Sequence, residues 1–305
     1  FENIPTKAVE TAARHAPVRP SAGVLEIVQD RLREKCFLRD RGLPCTPFAP
    51  VAVEKDLDAA IAEVGLPAVM KTCAWGYDGK GQALVKTRHE AADAWQRLER
   101  QPTILEALID FRAEASVLTA RSLSGDVRSC GPIANDHVNH ILDVSTYPAG
   151  TLLPIASEAI EIAEATAAEL DAIGLICVEF FVTADDRLLI NEIAPRPHNS
   201  GHLTIEACHV SQFEQQLRAV CGLPLGDFGR QLPAAAMANL LGDLWTGGEP
   251  NWTAAMTDPR VRLHLYGKID ARIGRKMGHL TATAESVAEA EAAVRECRQR
   301  LTLRR

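Results

Sequence analysis

The chain has 305 residues, of which 47 % are apolar and 24 % are charged, as in a globular protein with a sizeable core. Its formal charge of −7 argues against a general nucleic-acid or membrane-surface binder, because such proteins carry an excess of basic residues. Eight scattered cysteines without a Cys-x-x-Cys pair are typical of reduced thiols in a cytoplasmic enzyme.

The first third of the chain alternates helical and strand patterns. Apolar residues at helical spacing predict one helix from residue 23 to 41, and residues 66–72 predict a strand with Lys71 at its exit. A glycine-rich stretch at residues 76–82 follows, and backbone N–H groups of such a loop can approach a phosphate closely. A loop of this kind is more often only a turn, but Lys71 and Lys80 favour phosphate binding.

Two strand patterns come next. Residues 102–109 end in a segment, 106–109, whose backbone groups could line a nucleotide base, although an ordinary strand edge would have the same pattern. Residues 111–120 predict another strand, and Asn135 to His137 are expected in a polar connection. The clearest helix spans residues 154–173.

Residues 175–204 contain the most informative pattern. Two runs of β-branched and aromatic residues flank a polar break, which predicts a β-hairpin. In the register that places Phe181 opposite Ile190, Glu179 faces Glu192. Two opposed carboxylates repel each other unless a positive charge lies between them. Oxygen ligands of this kind suit Mg²⁺. The alternative is a solvated hairpin edge with two unrelated glutamates.

The last third predicts a helix at residues 210–221 and strands at 233–241 and 260–266. A basic stretch at residues 272–279, which follows Tyr266, Gly267 and Lys268, is interpreted either as an anion-binding turn or as a solvated turn. A capping box at Ser286 and Glu289 predicts a final helix.

Several strings together resemble one family. Gly-Tyr-Asp-Gly-Lys-Gly-Gln at residues 76–82 and His-Asn-Ser-Gly-His at residues 198–202 are the most specific, and Ser-Gln-Phe-Glu follows at 211–214. The chain resembles, over almost its whole length, 5-(carboxyamino)imidazole ribonucleotide synthetase. This is an ATP-grasp enzyme of purine biosynthesis and the ATPase subunit of phosphoribosylaminoimidazole carboxylase.

The resemblance implies an α/β (α+β) ATP-grasp fold. Residues 1–24 would be a remnant of a Rossmann-like N-terminal domain, residues 25–225 the ATP-grasp domain and residues 226–305 a small C-terminal β-rich domain. The family begins with a complete Rossmann-like domain, of which this sequence is expected to contain only the last part.

The implied activity is a ligase reaction. ATP and bicarbonate would give carboxyphosphate, which carboxylates 5-aminoimidazole ribonucleotide to N5-carboxyaminoimidazole ribonucleotide, with Mg²⁺ as the metal. A cytoplasmic homodimer is also implied. The alternatives are an ATP-grasp ligase with a different amine acceptor and an ATP-binding pseudoenzyme.

Carried over by position, the family's roles fall on the following residues. Glu179 and Glu192 would hold Mg²⁺. ATP would be bound by Arg31, Lys71, Gly76, Tyr77, Asp78, Gly79, Lys80, Gly81, Gln82, Glu106, Ala107, Leu108, Ile109, Glu114, His137, Asn191 and Glu192. The two other substrates would be bound by Tyr77, Asp78, Arg196, His198, Asn199, Lys268, Arg275 and Lys276. The catalytic residues would be Tyr77, Arg196 and Lys268.

Within the substrate-binding set, the resemblance assigns different residues to the two substrates. Arg196, His198 and Asn199 would hold bicarbonate or carboxyphosphate, since a planar guanidinium matches such an anion. Lys268, with Tyr77 and Asp78, would face the imidazole, and the basic pair at 275–276 would bind its phosphate.

Overall fold

A computed structural model of the protein describes residues 4–74 and 81–302. The predicted site residues Gly76, Tyr77, Asp78, Gly79 and Lys80 lie outside these described ranges. The described helices are α1 (Thr6–Ala13), α2 (Ala22–Val28), α3 (Arg31–Asp40), α4 (Leu57–Val64), α5 (Arg88–Arg97), α6 (Ala156–Glu169), α7 (Thr204–Ala207), α8 (Gln212–Cys221), α9 (Trp252–Ala255) and α10 (Val287–Leu301). Within the same ranges, no helix is long and apolar enough to cross a membrane.

Within the described residues, twelve strands form two antiparallel sheets. The strands are β1 (Phe48–Val51), β2 (Ala68–Thr72), β3 (Gln82–Val85), β4 (Thr103–Ala107), β5 (Phe111–Arg121), β6 (Val127–Val138), β7 (Ile141–Tyr147), β8 (Gly174–Thr183), β9 (Leu188–Ala194), β10 (Ala234–Leu241), β11 (Val261–Leu265) and β12 (Lys276–Ala284). The smaller sheet has the order β1-β4-β2-β3, and the larger has the order β11-β12-β10-β7-β6-β5-β8-β9. The three C-terminal strands thus continue the larger sheet.

Successive side chains of β8 point to opposite faces of the larger sheet, so that one set packs in the core beneath α6 and the other lies on the face of the candidate site. Ile176, Val178 and Phe180 belong to the apolar cluster that includes α6, whereas Cys177 packs on the opposite face with Ala207 of α7. Glu179 therefore points to the same face as Cys177. The smaller sheet has its own core, formed with α4 and α5.

The structure corrects three sequence predictions. The helix predicted from residue 23 to 41 is two helices, because the Asp30 side chain accepts from the backbone N–H of Arg33 and caps a new helix. Asn135 to His137 lie inside β6 and not in a connection. Lys276 to His279 begin β12, so only the preceding part of the basic stretch is a turn.

The hairpin of β8 and β9 confirms the predicted pairing of the two glutamates and corrects the predicted pairing near the loop. Glu179 pairs with Glu192 as expected, but Phe181 pairs with Leu189 and not with Ile190. Asn191 is the extra residue of a β-bulge, which shifts the register of every pair nearer the loop by one.

The bulge is held by helix α3. The buried Nζ of Lys35 donates to the carbonyl oxygens of Ile190 and Asn191, at 2.8 Å each. The neighbouring Glu34 accepts from the backbone N–H of Ile193 at 3.1 Å. Both side chains are almost fully buried, so the helix and the bulged strand satisfy each other's polar groups.

Replacing Lys35 by methionine tests this contact. The Lys35→Met variant leaves two buried bulge carbonyls without their donor and removes one of the two cations beside Glu106, so we expect a loss of about 3 kcal/mol in the free energy of unfolding. Urea unfolding followed by circular dichroism measures it. The exposed Lys55→Met variant is the control and should stay within about 0.5 kcal/mol of wild type. Equal stabilities of the two variants would refute the role of Lys35.

Glu34 predicts a pH dependence. Burial raises the pKa of Glu34 to about 8, despite the opposing effect of Lys35. Between about pH 4.5 and 8 the unfolded chain loses this proton while the folded chain keeps it, so the contribution of Glu34 to stability falls as the pH rises. The free energy of unfolding of Glu34→Gln, relative to that of wild type, should therefore rise by about 1 kcal/mol per pH unit in this window. Urea unfolding at pH 5, 6, 7 and 8 measures the slope. For the exposed Glu26→Gln control, the plot of unfolding free energy against pH should have the same slope as that of wild type. The same slope in Glu34→Gln would contradict the raised pKa of Glu34.

Candidate active site

The two glutamates of the hairpin form an electrostatically coupled pair. Burial and the neighbouring carboxylate of Glu179 both raise the pKa of Glu192. Burial also disfavours the charge on Glu179, but the neighbouring His198 has the larger effect and lowers the pKa of Glu179. The Nε2 of His198 lies 3.1 Å from Glu179 Oε1. The pair is therefore a site where added positive charge is favourable.

The donor set of this pair fits Mg²⁺. Two opposed carboxylates offer only oxygen ligands, and Mg²⁺ is usually held by one or two carboxylates together with substrate phosphates. Among the residues that the structure describes, no group of three or more His, Cys, Asp or Glu side chains is placed to hold a metal alone. A metal at Glu179 and Glu192 would thus depend on ligands from a bound phosphate.

Lys71 reaches the same region from the smaller sheet. Its Nζ donates to Glu106 Oε2 at 3.0 Å, and Lys35 lies 4.0 Å from the same oxygen. Thr46 also donates to it. Burial opposes the charge on Glu106, yet the two lysines hold its pKa below the usual value. Glu106 is therefore a buried counter-ion that fixes the position of Lys71.

The rest of the predicted base-binding segment lies at the end of β4. The backbone N–H groups of Ala107 and Leu108 donate to the carbonyls of Pro47 and Pro67. The side chain of Leu108 is exposed, and Ile109 is half-buried. A base placed at this edge would contact the Leu108 side chain, while two of the backbone donors are already engaged.

Arg31 and Gly81 lie at the base of the glycine-rich stretch. The Arg31 guanidinium donates to the carbonyl of Thr72 at 2.8 Å, and its backbone N–H donates to Cys73. On the other side, Gly81 accepts from the N–H of Thr72, and Gln82 pairs with Lys71. The end of this stretch, at Gly81 and Gln82, is therefore held next to Lys71.

Glu114 and His137 form an ion pair on the larger sheet. His137 Nδ1 lies 2.8 Å from Glu114 Oε2. Burial disfavours the charged ring, but the hydrogen bond with Glu114 raises the pKa of His137, and Glu179 and Lys276 also act on it. The structure thus brings the predicted ribose residue, the predicted nucleotide histidine and one of the two predicted metal carboxylates into one electrostatic group.

The segment from Arg196 to His202 is held by one buried amide, Gln212. Its Oε1 accepts from the backbone N–H of His198, and its Nε2 donates to the His198 carbonyl at 2.8 Å and to His202 Nδ1 at 3.0 Å. Gly201 packs so closely on this amide that a Cβ would lie 2.3 Å from Gln212 Oε1. The segment therefore has one permitted conformation.

Two predicted anion ligands lie in this segment. The guanidinium of Arg196 is half-buried and donates to the Pro197 carbonyl at 3.0 Å. The Nδ2 of Asn199 is buried and has no hydrogen-bond partner within residues 4–74 and 81–302. A buried donor without an acceptor is costly, and a bound anion would satisfy it.

The C-terminal basic residues are only partly brought to this group. Lys276 influences both His137 and His202 electrostatically. Lys268 donates to the Lys276 carbonyl at 2.8 Å and lies over the Tyr266 ring, and Arg275 donates to the Asp270 carbonyl. Lys268 and Arg275 thus contact the loop that precedes β12.

Sequence analysis missed several buried polar residues around the site. Gln212 is one, and a stack of three imidazoles is another: His279 lies 4.8 Å from His202 and 4.5 Å from His264, ring centre to ring centre. Burial and the neighbouring histidines lower the pKa of His202 to about 3, so this ring is neutral. Gln212 and His202 stand within the family strings at 211–214 and 198–202 without a role assigned to them, whereas the signal for His264 and His279 was a polar residue within a strand.

Comparison with known proteins matches both parts of the chain to family models. The ATP-grasp domain model matches residues 36–213, and the phosphoribosylaminoimidazole carboxylase C-terminal domain model matches residues 235–293. The chain is 41 % identical to N5-carboxyaminoimidazole ribonucleotide synthase from Bacillus subtilis, over 92 % of this chain and 73 % of that protein. The enzyme of the same name from Brucella melitensis is 42 % identical, over 92 % and 77 %.

Solved structures give the same relationship. The N5-carboxyaminoimidazole ribonucleotide synthetase from Thermus thermophilus superposes with a TM-score of 0.89 at 38 % identity, over all of this chain and 81 % of that one. The synthase from Aspergillus clavatus, solved with ADP and 5-aminoimidazole ribonucleotide, has a TM-score of 0.89 at 28 % identity, over 99 % and 81 %.

Substituting Gly201 tests the role of the Gln212 contact. In Gly201→Ala the new methyl group must displace the Gln212 amide or Leu118, so we expect a loss of about 2 kcal/mol in the free energy of unfolding. Gly247→Ala is the matched control, because a Cβ there meets no atom within 4 Å. Urea unfolding measures both. A Gly201→Ala protein as stable as the control would show that the segment adapts.

Proposed function

Because the chain belongs to the N5-carboxyaminoimidazole ribonucleotide synthase family of ATP-grasp enzymes, we propose that it is an ADP-forming carbon–nitrogen ligase. It carboxylates 5-aminoimidazole ribonucleotide with ATP and bicarbonate in purine biosynthesis. The observation that carries this proposal is the facing pair Glu179 and Glu192, with Lys71 held beside it by Glu106.

The first half of the reaction makes an acyl phosphate. A bicarbonate oxygen attacks the γ-phosphorus of ATP, the bond to the β-phosphate oxygen breaks, and ADP leaves. Glu179 and Glu192 would hold Mg²⁺, which supplies positive charge against the phosphates. Lys71 and Arg31, on the smaller sheet and at the start of α3, would add fixed positive charge where negative charge develops on the transferred group.

The second half forms the carbon–nitrogen bond. The amino group of the ribonucleotide attacks the carboxyl carbon of carboxyphosphate, the carbon–oxygen bond to phosphate breaks, and the amine loses a proton. Arg196 would hold the bicarbonate-derived group together with Asn199, whose buried Nδ2 has no hydrogen-bond partner among the described residues. Lys268 and Tyr77 would face the imidazole, and Arg275 and Lys276 its phosphate.

Substrate dependence tests the proposed reaction. ADP release should require Mg²⁺, bicarbonate and 5-aminoimidazole ribonucleotide together. An ADP formation rate that does not depend on the ribonucleotide would refute the substrate assignment. A panel of other amines that supports turnover would indicate a ligase with another acceptor, whereas ATP binding in calorimetry with no turnover would indicate a pseudoenzyme.

We further propose a cytoplasmic homodimer, on the strength of the family resemblance alone. Light scattering coupled to size-exclusion chromatography measures the assembly, and a monomer at micromolar concentration would contradict this part of the proposal.

The Glu192→Gln variant tests the metal role. The amide keeps the shape of the side chain but removes a charged ligand, so we expect turnover to fall by about two orders of magnitude or more at an unchanged urea midpoint. Steady-state ADP release measures turnover. Exposed Glu285→Gln should behave as wild type. Near-wild-type turnover in Glu192→Gln would refute the metal role.

A further inference from the structure

The hairpin of β6 and β7 contains a second bulge, next to the predicted nucleotide residue His137. Asp136 pairs with Val144, whereas His137 pairs with Leu142, so Asp143 is the extra residue. Because of this bulge, Leu142 and Val144 pack in apolar clusters on opposite faces of the sheet. In a regular ladder continued from Asp136, the residue opposite His137 would be Asp143.

Two arginines of the C-terminal helix α10 hold the side chain of the extra residue. Arg298 donates to both carboxylate oxygens of Asp143, at 2.6 Å and 3.0 Å. Arg295 donates to Asp143 at 3.2 Å and, across the bulge, to Asp136 on β6 at 3.0 Å. A guanidinium can only donate, so the direction of each hydrogen bond is known. The two contacts of Arg298 form a bidentate pair, which fixes geometry as well as charge.

The backbone of the bulge is held from β10. The ladder between β10 and β7 runs to the pair of Ala238 and Val144. Next to it, the buried Asn239 donates from Nδ2 to the Leu142 carbonyl at 2.7 Å. Arg298 also donates to the Asn239 carbonyl, at 3.2 Å. The side chain and the backbone of the bulge are therefore bound to one connected set of groups on α10 and β10.

The bulge determines what lies beside His137. His137 Nδ1 is 2.8 Å from Glu114 Oε2 on β5, and the residue opposite it on β7 is the apolar Leu142. A bulge shifts every pair nearer the loop by one residue. Loosening it would allow Asp143 to move opposite His137, where its carboxylate would compete with Glu114 for the ring.

We propose that Arg298 and Asn239 are positioning residues of the nucleotide site. By fixing the bulge at Asp143, they keep its carboxylate on the α10 face and hold His137 against Glu114. The C-terminal helix, in which the sequence predicted no site residue, then contributes to ATP binding. The effect on ATP rests on the proposed function, whereas the effect on the hairpin does not.

Hydrogen exchange of the Arg298→Met variant tests the effect on the hairpin. Val294→Ala is the control, because Val294 is fully buried on the same helix and its apolar side chain takes no part in these hydrogen bonds. Mass spectrometry measures exchange in the peptide that covers residues 136–143, without urea. We expect exchange there to become about tenfold faster in Arg298→Met and to stay at the wild-type rate in Val294→Ala. An unchanged rate in Arg298→Met would overturn the proposal.

Steady-state kinetics test the effect on the nucleotide. The KM for ATP should rise about tenfold in Arg298→Met, with kcat and the KM for the ribonucleotide within about twofold of wild type. Val294→Ala should change none of these constants, even though its unfolding midpoint in urea falls. In a His137→Gln background, Arg298→Met should change the KM for ATP less than about twofold, because its effect passes through His137.

Two kinetic results would contradict the proposal. Equal changes of the KM for ATP in Arg298→Met and Val294→Ala would mean that Arg298 only stabilises the fold. An undiminished effect of Arg298→Met in the His137→Gln background would mean that it does not act through His137. A wild-type protein without turnover would refute the proposed function, and the exchange experiment would still decide whether Arg298 holds the hairpin.

Discussion

The Nζ of Lys35 donates to the Ile190 and Asn191 carbonyls of the larger sheet and lies 4.0 Å from Glu106 of the smaller one. One buried charge therefore contacts both sheets at the place where they face each other. It sets the bulge that precedes Glu192, and through Glu106 it shares a counter-ion with Lys71. The position of the predicted metal carboxylate and that of the predicted phosphate lysine are thus linked by a single side chain.

The charges around this lysine explain why the arrangement is stable while buried. Glu106 is satisfied by two lysines and Thr46, and Glu34 avoids a buried negative charge by keeping its proton. Glu179 is balanced by His198, whose Nε2 lies 3.1 Å from Glu179 Oε1. Glu192 differs, because desolvation and the neighbouring Glu179 carboxylate both raise its pKa, so that added positive charge beside it is favourable.

Residues that are adjacent in sequence were well predicted, whereas contacts between distant residues were not. The assumed hairpin register placed Glu179 opposite Glu192 correctly, because the bulge at Asn191 compensates for the one-residue error nearer the loop, and the motif strings identified the family. The bulge was invisible, because Lys35, which stabilises it, lies about 155 residues upstream. Asp143 and Arg298 are ordinary charged residues by composition, and only the fold shows that they meet beside His137.

The continuity of the larger sheet limits how the enzyme can move. Backbone ladders join β12, near the predicted phosphate site at Lys276, to β8 and Glu179 through four intervening strands. A rigid-body displacement of one against the other would break those ladders, so the larger sheet holds these two strands in a fixed relation. Lys71 belongs to the four-stranded sheet, which within the described residues shares no backbone ladder with the larger one. A displacement of the smaller sheet would therefore leave the ladders of the larger sheet intact, and it would act on the contacts that the Lys35 ammonium makes with both sheets.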